Sequence, residues 1–122
     1  MYIISKFLDY LNQIKLYHWH TSQYSRHKAS DELYDNLQST IDKFIECYIG
    51  KYGRKNVFQG STPTLSLDVQ NDKSVLKLLD DMSKFLEKDL IKYIKPIDTD
   101  LLNIRDEILG HVNQTKYLFT LN

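Results

Sequence analysis

Apolar residues return every three or four positions through four separate runs of this 122-residue chain, and a chain patterned that way buries them by forming helices that pack on one another. In the first run Ile3, Ile4, Phe7, Leu8, Leu11, Ile14 and Tyr17 or His18 share one side, which predicts a helix over about 2–20. The second carries Leu33, Tyr34, Leu37, Ile41, Phe44, Ile45 and Tyr48 and stops near Gly50 and Gly53, so helix is expected over about 25–51. Val75, Leu76, Leu79, Met82, Phe85, Leu86, Leu90 and Tyr93 make the third, with Asp72 or Ser74 as cap and Pro96 as stop, over about 73–94. The last run, Leu101 to Phe119, has Asp98 or Thr99 as cap and covers about 99–121. Between the second and third runs, residues 54–71 hold Gly60, Pro63 and scattered Ser and Thr without a helical period, and read as a long connection.

Two helical hairpins joined by a long link predict an all-α chain, a single four-helix bundle domain over 1–122, which is long enough to bury its own core. If the second and third helices run parallel, the link travels the length of the bundle, which a stretch of that size spans easily at about 3.3 Å per residue. Lys and Arg number 16, as do Asp and Glu, so the chain as a whole has no pull toward nucleic acid or acidic membranes. The polar breaks in the first run exclude a secretion signal or a membrane span. The single Cys47 excludes an internal disulfide and suits a reducing compartment, so a cytoplasmic setting is expected. No phosphate loop, serine elbow, zinc-protease pattern or paired cysteine ligands occur.

Candidate chemistry lies in the second run. His27 and Asp31 are spaced i,i+4, and so are Asp42 and Glu46, which puts each pair of metal-ligand types on one helical face about one turn apart. At about 100° per residue the four form one stripe, roughly 0° to 100°, bordering the apolar face without lying in it. At about 1.5 Å per residue His27 and Asp42 stand about 22 Å apart, far more than ligands of one ion at about 2.0 to 2.2 Å allow. Closing one site from both pairs therefore requires a two-fold contact in which His27 and Asp31 of one copy face Asp42 and Glu46 of another.

The stretch His18-Trp19, then Tyr24, His27, Asp31-Glu32-Leu33-Tyr34, Asp42, Glu46 and Gly50, resembles the signature of the miniferritin (Dps-like) branch of the ferritin-like proteins. Leu67-Asp68-Val69, Asp98 to Leu101 and Lys116-Tyr117-Leu118-Phe119 agree more loosely. The resemblance implies a ferritin-like fold and a ferroxidase centre shared across a dimer interface within a dodecameric cage. Its cofactor and cargo would be iron, Fe(II) going to Fe(III). His18, His27 and Asp31 would come from one subunit and Asp42 and Glu46 from its neighbour, with Trp19 close by. The connection between Trp19 and His27 is shorter than the family's usual one. Small phage-encoded proteins also look like this shortened version. No Lys-rich tail precedes the first helix, so DNA binding is disfavoured.

The plainer reading of exposed carboxylates at i,i+4 is a solvated helix face. His18 and His20 also suit a helix C-terminus, Glu107 and His111 a surface pair, and Cys47 a packing role. The two functions to separate are thus a Dps-like ferroxidase that binds and stores iron, and a non-catalytic ferritin-like helical protein of phage or bacterial origin serving as an assembly or interaction module.

Overall fold

The computed structural model describes residues 2–55, 57, 58 and 69–121, and all their regular structure is helical. α1 spans Tyr2–His20, α2 Tyr24–Tyr52, α3 Ser74–Lys84 and α4 Thr99–Leu118. α3 does not continue as one helix to residue 94. It widens into a π turn, Phe85–Asp89, where the Leu90 N–H reaches the Phe85 carbonyl, and then tightens into a 3-10 turn, Leu90–Tyr93. These irregular turns keep Phe85, Leu86 and Leu90 all buried. α4 ends at Leu118, three residues short of the expected limit, in a turn through Phe119 and Thr120. Most of the expected link, with Leu67 and Asp68, lies outside the described residues.

The caps differ from those expected. Lys73, not Asp72 or Ser74, stands at the N-cap of α3 and makes no side-chain cap bond; Asn71, two residues earlier, accepts the N–H groups of Lys73 (2.9 Å) and Ser74 (2.7 Å) at its Oδ1, and Ser74 Oγ accepts the Asn71 N–H in return (3.0 Å). Asp98 stands at the N-cap of α4 but makes no side-chain cap bond. Gly53, at φ 87°, gives its N–H to the Ile49 carbonyl (2.7 Å) and ends α2 in a backbone region that side-chain-bearing residues rarely enter.

Contacts fix the helix directions. The end of α1 meets the start of α3 through Tyr17 and Asp72 (2.7 Å), the end of α2 meets the start of α4 through Lys51 and Asp98 (3.0 Å), and Lys116 late in α4 meets Asp80 within α3 (3.0 Å). Arg26, early in α2, also reaches the Asp72 carbonyl at 2.6 Å, so α2 and α3 start at the same end and run parallel. The end of α2 and the start of α3 therefore lie at opposite ends of α2, whose 29 residues extend about 43 Å. The core joins all four helices: the Phe7 ring meets Phe44 (5.7 Å, 71°) and Phe85 (5.6 Å, 88°) edge to face, with Leu37, Leu79, Leu101 and Ile108 fully buried around them.

At the far end Asp98 is 2% exposed, and its carboxylate accepts from the Tyr52 phenol, the Lys51 ammonium and, at 2.8 Å, the Lys95 N–H. The Tyr52 bond above all, then the Lys95 N–H and Lys51, hold its carboxyl down at about 2. A lowered carboxyl pKa contributes stability above the ordinary value of 3.8 and loses it as pH falls toward about 2. Asp98→Asn is therefore expected to lower the melting temperature at neutral pH and to flatten its fall across that acid window, as followed by circular dichroism.

Candidate functional site

The structure brings three of the five candidate ligands together at the α1–α2 turn. Thr21 to Gln23 are enough to reverse the chain, and they set the His18 and His27 rings face to face, 3.9 Å between centroids and 18° between planes. Each ring nitrogen Nδ1 meets the other residue's backbone: His18 Nδ1 lies 2.8 Å from the His27 carbonyl and His27 Nδ1 lies 2.9 Å from the His18 carbonyl. A carbonyl only accepts, so both Nδ1 atoms donate. In the neutral ring that leaves the Nε2 lone pair for a ligand, the orientation that backbone carbonyls impose on metal-binding histidines. His18 is 7% exposed, and its Nε2 stands 3.8 Å from Asp31 Oδ1, too far for a hydrogen bond. Ser30 adds to the clasp, donating to the His27 carbonyl (3.1 Å) with its Oγ 3.3 Å from His18 Nδ1. Ser30 was not singled out from the sequence, although its position three residues after His27 was a usable signal.

Asp72 fixes the turn that carries this cluster. Tyr17 Oη and Thr21 Oγ1 donate to its Oδ1 at 2.7 and 2.8 Å, and Gln23 Nε2 donates to its Oδ2 at 3.0 Å. The Arg26 guanidinium donates to the Asp72 carbonyl and to the Phe119 carbonyl (3.3 Å) and covers the Phe119 ring at 4.7 Å. The Tyr17 bond, with Thr21 and Arg26, holds the Asp72 carboxyl below its usual range, and burial pushes the Tyr17 phenol up. All four helices therefore meet at the end where His18 and His27 sit.

Asp42 and Glu46 are not in this cluster. Both are exposed on α2, Asp42 eleven residues or about 16 Å beyond Asp31, and no hydrogen bond or ion pair among the described residues engages either. No three His, Cys, Asp or Glu side chains converge on one ion position among the described residues. Asp42 instead lines a groove of about 720 Å³ between α1 and α2. Trp19, 68% exposed, flanks the histidine end, with the Lys15 ammonium 5.4 Å from its ring and 4.6 Å from that of Tyr34. His111 and Glu107 form the expected surface pair at 4.0 Å, and Cys47 packs half-buried against the core. No described helix is long and apolar enough to cross a membrane.

The profile of DUF5856, described as a family of unknown function, matches residues 18–119, a span that includes all five candidate ligands. A curated relative, the "Uncharacterized 14.6 kDa protein in mobD-ri intergenic region" of Enterobacteria phage T4, is 33% identical over 105 residues, which is 85% of this chain and 74% of that protein. No solved structure matches.

The buried histidine contact and the exposed carboxylate pair should respond differently to truncation. His18→Ala loses the stacked ring and a buried hydrogen bond and is expected to cost about 2–4 kcal/mol in urea unfolding. Asp42→Ala and Glu46→Ala should stay within about 0.5 kcal/mol of the native chain.

Proposed function

The chain belongs to the DUF5856 family, one of unknown function, and we propose, from its own residues, that it is a ferritin-like, Dps-like ferroxidase acting on Fe(II) at sites shared by two copies of the chain. His18, His27 and Asp31 of one copy would bind the ion together with Asp42 and Glu46 of the other. The carrying observation is the histidine pair, with both Nδ1 atoms committed to carbonyls and the His18 Nε2 directed beside Asp31 without a hydrogen bond. Two imidazoles and three carboxylates are a donor set suited to iron. Helix spacing supports the sharing, because one straight α2 holds its two ligand pairs too far apart for one coordination sphere. Parallel α2 and α3, both starting at the same end, support the ferritin-like connectivity.

In the reaction two Fe(II) ions each give one electron to peroxide, which takes up two protons and leaves as two waters. With dioxygen as oxidant the same two electrons and two protons yield peroxide. The protein contributes ligand geometry, and the iron carries the redox change. Storage of the ferric product calls for a closed homo-oligomer, a dimer at least and a dodecamer in the miniferritin manner. The phage relative favours the cytoplasm of an infected bacterium as the setting.

A second reading rests on the same clasp. The reciprocal bonds between His18 and His27 staple α1 to α2 without any ion, which a non-catalytic assembly or interaction module also needs. Fe(II)-dependent consumption of peroxide or dioxygen separates the two. The native chain should exceed the background rate at least about tenfold, as expected for loss of positioned ligands, and Asp42→Ala with Glu46→Ala should return it to background. Equal rates for native and double variant would leave the module reading.

A further inference from the structure

The groove between α1 and α2 is apolar along its floor, where Phe7, Leu11, Ile41 and Ile45 line it, and its rim carries Leu8, 44% exposed, and Phe58, 69% exposed. Large apolar side chains left open to water along one channel mark an interaction surface. Helices form both walls, and their backbone N–H and C=O groups bond within each helix, so the groove offers no sheet edge to an extended peptide. It offers side chains at helical spacing instead. Leu8 and Leu11 stand three residues apart on α1 and Ile41 and Ile45 four apart on α2, the spacing into which a third helix packs a ridge of its own. From Tyr34 to Ile45 the α2 wall advances about 16 Å, which matches about three turns of a partner helix.

Charge selects which helix. Asp35 and Asp42 line the groove, no Lys or Arg does, and no hydrogen bond or ion pair among the described residues engages either carboxylate. Asp31 and Glu46 continue the acidic line along α2, and at about 100° per residue the four fall within about 60° of one another. The α1 wall, Ile4, Phe7, Leu8, Leu11 and Asn12, carries no charge. A complementary helix therefore has an apolar stripe with Lys or Arg along the flank that faces α2.

We propose that the α1–α2 groove binds a cationic amphipathic helix of another protein, its apolar stripe against Leu8, Leu11, Ile41 and Ile45 and its cations facing Asp35 and Asp42. The inference rests on the interaction-module reading and supplies the chemistry of the partner. Buried apolar area provides the adhesion, and the opposed charges set the register and speed the encounter.

The full chain is tested with an amphipathic Leu/Lys peptide of about 18 residues, long enough to hold a helix. The controls are a Leu/Glu helix of the same apolar spacing and a Leu/Lys peptide of the same composition in scrambled order. The Leu/Lys helix is expected to shift the methyl NMR signals of Leu8, Leu11, Ile41 and Ile45, and by fluorescence anisotropy to bind at least about tenfold more tightly than either control. Leu8→Glu adds negative charge to the rim, so a peptide held by charge alone gains from it, whereas a peptide seated in the groove loses at least about tenfold. Asp35→Lys should cost at least about threefold, with circular dichroism showing native helix content in both variants. Equal binding of the helix and its scrambled form, undiminished binding to Leu8→Glu, or no binding at all overturns the proposal. Methyl shifts that grow with chain concentration in the absence of peptide also overturn it, by giving the groove to a second copy. Shifts confined to other methyls overturn the groove and leave the module reading standing, a reading that the iron assay decides separately.

Discussion

A straight α-helix advances about 1.5 Å per residue, and that rise governs what this chain can do with its ligands. His27 and Asp31 lie on one stretch of α2, and Asp42 and Glu46 lie on another of the same stripe. No rotamer change closes a gap of about 16 Å between Asp31 and Asp42. Metal chemistry that joined both pairs at one ion would therefore need two molecules. The groove beside the stripe is apolar along Phe7, Leu11, Ile41 and Ile45, and Asp35 and Asp42 line it without a Lys or Arg.

The histidine end depends on a different set of forces. Asp72 collects hydrogen bonds from Tyr17, Thr21 and Gln23, while Arg26 ties its backbone and that of Phe119 to α2. Those contacts hold the Thr21–Gln23 reversal in place, and the reversal brings the His18 and His27 rings into contact. Burial of His18 against Ser30 then makes its orientation a consequence of folding instead of ligand binding. The His18–His27 contact is thus fixed by the fold, while Asp42 and Glu46 stay exposed farther along α2. Asp98 plays the matching part at the opposite end, where Lys51 and Tyr52 of α2 meet the start of α4.

Helix positions were legible in the sequence because the 3.6-residue period is written in Phe7, Leu33, Leu79 and Ile108, all buried. The all-α class and most helix bounds follow from it within a residue or two. Caps were less legible: Asn71, Asp72 and Ser74 are all good capping residues, and only tertiary partners decide that Asp72 faces Tyr17 while Asn71 takes the Ser74 N–H. The π turn at Phe85–Asp89 left no trace in the pattern, since its apolar spacing also fits an unbroken helix. Among site residues, the i,i+4 pairs were visible as spacing. The contact of His18 with His27 was not, because it depends on a three-residue turn held by an aspartate more than forty residues away. Nor does spacing reveal the groove, which needs Leu8 of α1 beside Asp42 of α2.

The most direct test of a site divided between two molecules is complementation. His27→Ala and Asp42→Ala each disable both sites of a symmetric pair, yet a mixed pair holds one site in which every native ligand is present. Iron oxidation should be at background for each variant alone and should recover on mixing equal amounts, toward about one quarter of the native rate per site, because about half of freely formed pairs are hybrids and each hybrid keeps one of its two sites. A mixture that stays at background, with hybrid formation verified by differently tagged chains, would contradict a ligand set drawn from two copies.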